Sequence, residues 1–202
     1  MREVIKFAAH VVATVCVAPM LLSYWVRTLV IGRDRALQGS TQALSIVPGL
    51  PGQYLRRAFL AVAIARCDRT ATVEFGVLLS HPDARIDERA YVGPHCALGL
   101  VHLEADVLLG PRVQIPSGAH THGTDDIEVP MREQPLRRTL VRIGRGAWIG
   151  AGAIVMADVG AGSIVGAGAV VTTPIPDGVL AAGVPAKFVK RRGGSAPTPD
   201  AD

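Results

Sequence analysis

A six-residue repeat of aliphatic side chains is the feature of this sequence that most restricts its fold. Between residues 86 and 171 an aliphatic residue returns about every six positions, with one long interruption. This period matches neither the α-helical turn nor the alternation of a long strand. It fits short strands joined at regular corners, because each strand then pairs with the coils above and below it. The inward-facing anchors are Ile86, Val92, Leu98, Leu103, Leu109, Ile115, Ile143, Ile149, Val155, Val159, Val165 and Val171.

Small residues follow these anchors at fixed distances. Glycine often comes directly after the anchor, which predicts corners where the backbone adopts conformations that other residues avoid. These glycines are Gly93, Gly99, Gly110, Gly144, Gly150, Gly160 and Gly166. The fourth residue after the anchor is small or of modest size, and we expect it to fit inside a crowded corner. These residues are Ala90, Cys96, Val107, Val113, Ala119, Ala147, Ala153, Ser163 and Ala169.

The composition agrees with a repetitive core built from small aliphatic residues. The 202 residues include 22 Gly and are 49% hydrophobic but only 4% aromatic. This apolar content excludes a disordered chain, and the 3 Cys, without paired spacing, exclude a disulfide-stapled miniprotein and indicate a reducing compartment. A formal charge of +4 does not by itself imply a nucleic-acid partner.

Three runs in the C-terminal half resemble the hexapeptide-repeat acyltransferases, which include maltose and galactoside O-acetyltransferases and streptogramin acetyltransferases. The runs are IGRGAWIGAGAIV, VGAGSIVGAGAVVTTPIPDGV and AAGVPAKFVKRR. The resemblance covers residues 85–192. It implies a mainly β fold, a left-handed parallel β-helix, assembled as a homotrimer with active sites between neighbouring subunits. It also implies acetyl-CoA as co-substrate, with no metal.

The sequence divides into three parts. Residues 1–70 are predicted to form an N-terminal helical segment, with a turn at 48–52 between helices at about 40–46 and 53–66. Residues 71–192 are predicted to form the β-helix, interrupted by an excursion loop at 121–142. The polar, Pro-rich residues 193–202 are expected to be a disordered tail.

An apolar stretch at residues 7–26 leaves the relation to a membrane open. It carries no formal charge and is long enough to span a bilayer, although Pro19 would kink it. It is either a core helix of a helical cap or an anchor that lies on or spans the membrane. A cleaved signal peptide is disfavoured, because it would separate the enzyme from cytosolic acetyl-CoA. The basic residues that follow predict a cytoplasmic catalytic part, at the inner membrane face if the stretch is an anchor.

Acyl transfer from a thioester needs a base for the acceptor hydroxyl, and histidine suits this role. In the family the catalytic His ends a hexad at the entrance to a loop over the acceptor site, and this pattern falls on His120. His122 is a second candidate. A carboxylate partner is not determined by the sequence, and the alternatives are Asp125, Asp126, Glu128, Glu104 and Asp106. His95 and His102 are expected on coil edges, and His81 has no assigned role.

The resemblance also implies where the coenzyme binds. Pantetheine would lie along stacked coils near Gly150, Ala151, Ala167, Thr172 and Thr173, although corner geometry alone also explains the small residues. Trp148 is expected to point outward, beside the coenzyme or at a subunit interface. Among the basic residues at the end of the coil, the candidates to meet coenzyme phosphates are Lys187 and Arg191.

These observations predict an acetyl-CoA-dependent O-acetyltransferase that modifies a sugar hydroxyl in exopolysaccharide or lipid-linked glycan synthesis. The acceptor is a small molecule or a glycan, and no nucleic-acid partner is expected. Three alternatives stay open: an N-acetyltransferase for an amino sugar, a γ-type carbonic anhydrase and a non-enzymatic trimeric scaffold. The carbonic anhydrase would bind zinc through His120 and His122, together with His81 or His95.

Overall fold

A computed structural model describes residues 2–193, with side chains from residue 8 onwards. Three helices precede a parallel β-solenoid: α1 at Arg2–Ile31, α2 at Arg33–Ser45 and α3 at Gly49–Ala63. The first strand begins at Arg66, slightly before the predicted boundary at 71. Of the predicted tail, only Gly193 lies within the described residues.

The solenoid has three sheets, which the chain visits in turn. The first sheet contains β1 (Arg66–Cys67), β4 (Arg85–Ile86), β7 (Val101–Leu103) and β10 (Val141–Ile143). The second contains β2 (Thr72–Val73), β5 (Tyr91–Val92), β8 (Leu108–Leu109), β11 (Trp148–Ile149), β13 (Ile164–Val165), β15 (Val179–Ala182) and β16 (Lys187–Arg191). The third contains β3 (Leu78–Leu79), β6 (Ala97–Leu98), β9 (Gln114–Ile115), β12 (Ile154–Val155) and β14 (Val170–Val171).

The repeat predicted from the sequence is confirmed by the strand pairing and by the core. Within the three sheets of the described residues, strands pair in parallel and in register from coil to coil, except that β16 returns antiparallel to β15. Each of the twelve anchors is at most 2% exposed. Because residues on either side of an anchor point outward, the interior is a column of aliphatic side chains without rings.

Glycine has a different role at the corners from the one expected. The glycines directly after the anchors do not have positive φ; a side chain there would strike the next coil. A Cβ on Gly110, for example, would lie 2.8 Å from the backbone N of Ala151. The left-handed conformation occurs instead three residues after the anchor, at Gly152 and Gly168 but also at Arg89 and His95. Glycine after the anchor is therefore needed for close stacking.

The fourth-after positions are buried as predicted, with one exception. Ala90, Ala147 and Ala169 are each at most 1% exposed, whereas Ala119 is exposed. The exception has a local cause, because the chain leaves the coil after β9 and Ala119 already belongs to the excursion.

Helix α3 begins inside the turn that the sequence predicted at residues 48–52. Pro48 is its N-cap, and Pro51 lies in the first turn, where a helix leaves its N–H groups without intrahelical partners. The Pro-Gly-rich segment therefore starts this helix rather than separating two others.

The helices close the N-terminal end of the solenoid. Helix α3 packs on β1 and β2, α2 packs on β3, and α1 packs on both α2 and α3. On α1 the buried stripe contains Ala13, Val17 and Tyr24, and the Tyr24 hydroxyl donates to the carbonyl of Ala63 at 3.2 Å. Within the described residues, the segment Ala8–Ile31 of α1 is the one helix long and apolar enough to cross a membrane, with a mean hydropathy of 1.7.

We expect thiol labelling to separate the three cysteines. Burial raises the pKa of Cys67 to about 12 and that of Cys96 to about 11, so almost no thiolate forms near neutral pH. Cys16 is exposed. A soluble maleimide should label the native chain at Cys16 alone and should label all three thiols after denaturation. Loss of native labelling in Cys16→Ser is the control, and equally fast labelling of Cys67 would contradict the buried placement.

Candidate active site

The excursion after β9 is a short hairpin that begins beside His120. His122 pairs with Leu136 in an antiparallel bridge, and the Arg137 N–H donates to the Thr121 carbonyl at 3.0 Å. The side-chain amide of buried Gln134 closes the tip by donating to two backbone carbonyls. The loop therefore has a fixed backbone path where it leaves the coil.

Gly118 determines how the chain enters this hairpin. Its φ is 89°, and a Cβ there would lie 2.9 Å from the Cβ of Thr139. Thr139 is held in place by its N–H, which donates to the carbonyl of Ser117 at 2.9 Å. Because His120 follows two residues later, this contact positions its backbone at the corner between the third and first sheets. The His120 side chain is exposed.

An open groove of about 490 Å³ runs over the outer face of the third sheet beside this corner. Ser117 and Thr121, which flank His120 in the sequence, line it. Helix α2 forms one wall through Gln38, Thr41 and Gln42, and Gln114 projects from β9. All lining residues are uncharged. Amide and hydroxyl groups beside aliphatic side chains such as Leu78 suit a neutral ligand that has both hydroxyl groups and apolar faces, as a sugar does.

Solved structures similar to this chain include acyltransferases. A galactoside acetyltransferase in complex with coenzyme A has a TM-score of 0.64 and 21% identity, covering 79% of this chain and 80% of that chain. A maltose O-acetyltransferase from Clostridium difficile 630 has a TM-score of 0.64 and 20% identity, covering 82% and 89%. A mutant of AntD, an N-acyltransferase from Bacillus cereus in complex with dTDP and coenzyme A, has a TM-score of 0.53 and 18% identity, covering 61% and 70%.

This chain has the fold of the hexapeptide-repeat acyltransferases. No family model and no curated protein matches the sequence. At these identities the likeness shows the fold alone, and the activity depends on the residues that this fold brings together.

The three sheets form the faces of a prism, and its edges are the corners between successive sheets. The predicted coenzyme residues are divided between different edges of this prism. Gly150, Ala151 and Ala167 follow strands of the second sheet and lie at the corner between the second and third sheets. Lys187 lies at the same corner, because it pairs with Ala182 and Ala182 stacks on Gly166 of the preceding coil. One copy of the chain therefore offers a column of small residues ending in a cation.

The other predicted coenzyme residues lie elsewhere. Thr172 and Thr173 follow β14 and so share the corner between the third and first sheets with His120. Arg191 pairs with Val179 at the opposite end of β15 from Lys187. Trp148 is 49% exposed and projects from the outer face of the second sheet, outward as predicted. The structure of one chain does not bring the whole predicted set together.

The carboxylates considered as partners of His120 are mostly engaged with other groups. Glu104 and Asp106 lie at the edge between the first and second sheets, where they pair with Arg142 and Arg89. These hydrogen bonds lower the pKa of both carboxyl groups. Within the excursion, Asp125 is 3.3 Å from the Arg137 guanidinium. The distant edge position argues against Glu104 and Asp106 in the same copy.

Asp126 and Glu128 are held together by a local turn. Asp126 Oδ1 accepts the N–H of Glu128 at 2.9 Å, and both side chains are exposed in the excursion. Among the described side chains, none of the five candidate carboxylates contacts His120 in the same copy of the chain.

The remaining histidines are dispersed over the prism. The ring of His102 is 2.9 Å from Asp87 on the first sheet, and His95 packs edge-on against Phe75. His81 Nδ1 accepts the N–H of Asp83 at 3.2 Å. Residues 2–193, as described, contain no cluster of three or more His, Cys, Asp or Glu side chains arranged for a metal ion.

Sequence reasoning missed the contribution of α2 to this site. Gln38, Thr41 and Gln42 form the groove wall, and Asp34 pairs with Arg138 of the excursion at 2.7 Å. The sequence predicted a helix only at about 40–46, whereas α2 begins at Arg33, and nothing in the local pattern indicated that α2 would dock beside the third sheet. Only the packing of the helices on the first coils determines that position.

Proposed function

We propose that the protein is a coenzyme-A-dependent acyltransferase that transfers an acetyl group to a sugar hydroxyl. The observation that carries this proposal is the exposed His120 at the base of the excursion, next to an uncharged groove that combines amide and hydroxyl groups with aliphatic side chains. The similar solved structures that contain coenzyme A, on the same fold, support the choice of donor.

The reaction would proceed by direct transfer. His120 removes the proton of the acceptor hydroxyl while its oxygen attacks the thioester carbonyl carbon. Backbone N–H groups stabilise the resulting oxyanion. When the tetrahedral intermediate collapses, the carbon–sulfur bond breaks and the imidazolium returns its proton to the departing thiolate. The products are the acetylated sugar and free coenzyme A, and the base is regenerated.

A homotrimer would complete the site. The column with Ala151, Ala167 and Lys187 lies one sheet away from the corner that carries His120 and Thr172. A neighbouring copy would place its own small-residue column against that corner, so that pantetheine lies between the two chains and Lys187 meets a phosphate. Cross-linking in solution tests this arrangement, and a monomer that retains full turnover would contradict it.

The proposed setting is the cytoplasm, where acetyl-CoA is available, with the protein at the membrane face on which exopolysaccharide or lipid-linked glycan is assembled. The exposed apolar residues of α1 support an association with the bilayer. Fractionation of cells that express the full chain, or a chain lacking residues 2–31, measures the membrane-bound share. Equal shares for both chains would contradict the association.

Release of free thiol from acetyl-CoA, measured with a panel of neutral sugars, amino sugars and glycan lipids, is the direct test. Turnover with a neutral sugar hydroxyl supports the proposal. Turnover with amino sugars alone would indicate N-transfer. Saturable acetyl-CoA binding by calorimetry would exclude a purely structural scaffold, whereas stoichiometric metal together with hydration of carbon dioxide would favour the carbonic anhydrase alternative.

Enlarging Ala167 should weaken coenzyme binding selectively. Ala167 and Ala161 occupy matching Gly-Ala-Gly corners, at different edges of the prism, and both are exposed. A leucine at 167 would fill the space that a close-lying pantetheine needs, so we expect Ala167→Leu to weaken coenzyme A binding about 10-fold or more. Calorimetric titration provides the measurement. The matched control is Ala161→Leu, and equal weakening of coenzyme A binding in both variants would show that the coenzyme does not bind specifically at the Ala167 corner.

A further inference from the structure

The junction of α1 and α2 carries a second recess, distinct from the groove beside His120. It has a volume of about 380 Å³, and its lining includes Arg33, Arg35 and Arg138. Asp34 is the one acidic residue of the lining, and it pairs with Arg138 at 2.7 Å. Arg33 and Arg35 are exposed and have no acidic partner among the described side chains. The recess therefore keeps an excess of positive charge.

The recess and the groove are adjacent. Gln38, on α2, lines both of them. On the excursion, Arg138 lines the recess, and the next residue, Thr139, pairs with Ser117 of the groove. A ligand with an anionic group in the recess would thus extend toward the corner of His120.

Helix α1 presents a second apolar face beside the recess. Opposite the stripe that packs on α3, the side chains of Val15, Leu22 and Leu29 are 67%, 68% and 87% exposed. This exposed face runs from Val11 to Leu29, about 27 Å at the helical rise. Ile31, at its end, also lines the recess. An apolar face of this extent on a described surface needs a hydrophobic partner.

We propose that the junction binds the phosphate of a membrane-borne lipid acceptor, a polyprenyl-type phosphate or diphosphate that carries the sugar to be acetylated. The guanidinium groups of Arg33 and Arg35 contact the phosphate, the hydrocarbon chain and bilayer surface cover the exposed face of α1, and the sugar enters the groove. This inference rests on the proposed function, since it names the acceptor class of that same site.

Charge and geometry both favour a bilayer over a second protein copy on α1. Residues 8–26 contain no charged side chain, and the residues that follow add Arg27, Arg33 and Arg35 against the single acid Asp34. A basic cluster at the end of an apolar face complements anionic lipid headgroups. Helix α1 packs along α3, and α3 packs on the first coil. The apolar face of α1 that points away from α3 is therefore on the outside of the protein.

Vesicle flotation of the full chain tests the proposal. Wild type should bind phosphatidylcholine vesicles that contain a polyprenyl phosphate far better than pure phosphatidylcholine vesicles. The double variant Arg33→Gln/Arg35→Gln should lose about 10- to 30-fold of this binding. The matched control is Arg145→Gln, an exposed arginine at the other edge of the prism. Equal losses in the double variant and the control would overturn the site.

The apolar face has its own test. Leu29→Glu should abolish binding to the phosphate-containing vesicles, whereas Ile127→Glu, which changes a residue that is 93% exposed on the excursion, should not. Vesicles should also slow maleimide labelling of Cys16 in wild type but not in the double arginine variant. If Leu29→Glu instead changes the oligomeric state and vesicles do not bind, a second copy covers α1 and the proposal is wrong.

Two further measurements distinguish a lipid phosphate from a soluble phosphate, and the lipid site from the acyltransferase activity. Arg33- and Arg35-dependent binding of inorganic pyrophosphate in solution, in a protein whose binding to vesicles does not depend on polyprenyl phosphate, would indicate a soluble acceptor and overturn the lipid assignment. Acetyl transfer to soluble sugars, measured on the same wild-type preparation, tests the proposed function without vesicles. Vesicle binding without transfer to soluble or lipid-linked sugars would leave a lipid-phosphate site but would reject the acyltransferase and, with it, the role of this lipid as acceptor.

Discussion

The His120→Ala variant is expected to transfer acetyl groups about 10²–10⁴-fold more slowly than wild type while keeping its fold and its affinity for acetyl-CoA. The reason is that the imidazole is the proposed acceptor for the hydroxyl proton, and no other histidine lies between the groove residues Ser117 and Thr121. The side chain is exposed, so its removal leaves no cavity and should change the thermal midpoint little.

Thiol release under saturating acetyl-CoA measures this effect, and two other histidine variants make the result specific. His122→Ala tests the second candidate, and the variant with the larger loss identifies the base. His102→Gln serves as control, because His102 contacts Asp87 on the outer face of the first sheet. Turnover within a few-fold of wild type in His120→Ala, with coenzyme binding intact, would remove His120 from the mechanism.

Replacing Arg56 with Met should destabilise the protein by about 3–5 kcal/mol. Arg56 is 2% exposed, and its guanidinium donates to the carbonyls of Leu44, Val47 and Val73 at 3.1, 2.7 and 2.9 Å. These bonds join the end of α2 to the first strand of the second sheet. Methionine fills a similar volume, so the expected loss arises from buried carbonyls left without donors.

Burial also lowers the pKa of Arg56, which reflects how far the guanidinium is removed from water. The neighbouring Arg57 offers a matched control, since it donates to the single carbonyl of Ala71 and stacks 4.6 Å above the Tyr54 ring. We expect Arg57→Met to cost about 1 kcal/mol. Equilibrium denaturation followed by circular dichroism measures both. Equal losses of unfolding free energy in the two variants would show that the buried hydrogen bonds of Arg56 contribute no more to stability than the contacts of Arg57.

The solenoid was predictable because its restraints are local and repeated. Each anchor, such as Ile149, needs an inward position, and each following glycine, such as Gly150, faces the backbone of the next coil. This pattern is repeated many times in the sequence, so it remains detectable despite single irregular positions such as Ala119. The sequence could not separate the two uses of glycine, since close stacking and left-handed backbone both favour a missing side chain.

The site was less predictable because it depends on where separate segments meet. His120 was proposed as the base from its place at the end of a hexad in the resemblance, and the structure puts it at an exposed corner. The groove wall formed by Gln38 and the contact between Asp34 and Arg138 depend on how α2 docks, which no local pattern records. Likewise, Ala167 and Thr172 are close in the sequence, yet one strand separates them onto different corners.

The way the two ends of the prism are finished has a consequence for solubility. Parallel coils leave open strand edges at each end, onto which another chain could add. At the N-terminal end α2 and α3 cover the first coils, while at the other end β16 reverses direction and lies along β15. Stacking of molecules end to end into fibres is thereby blocked, so a truncation that removes either closure should aggregate even when the remaining coils are intact.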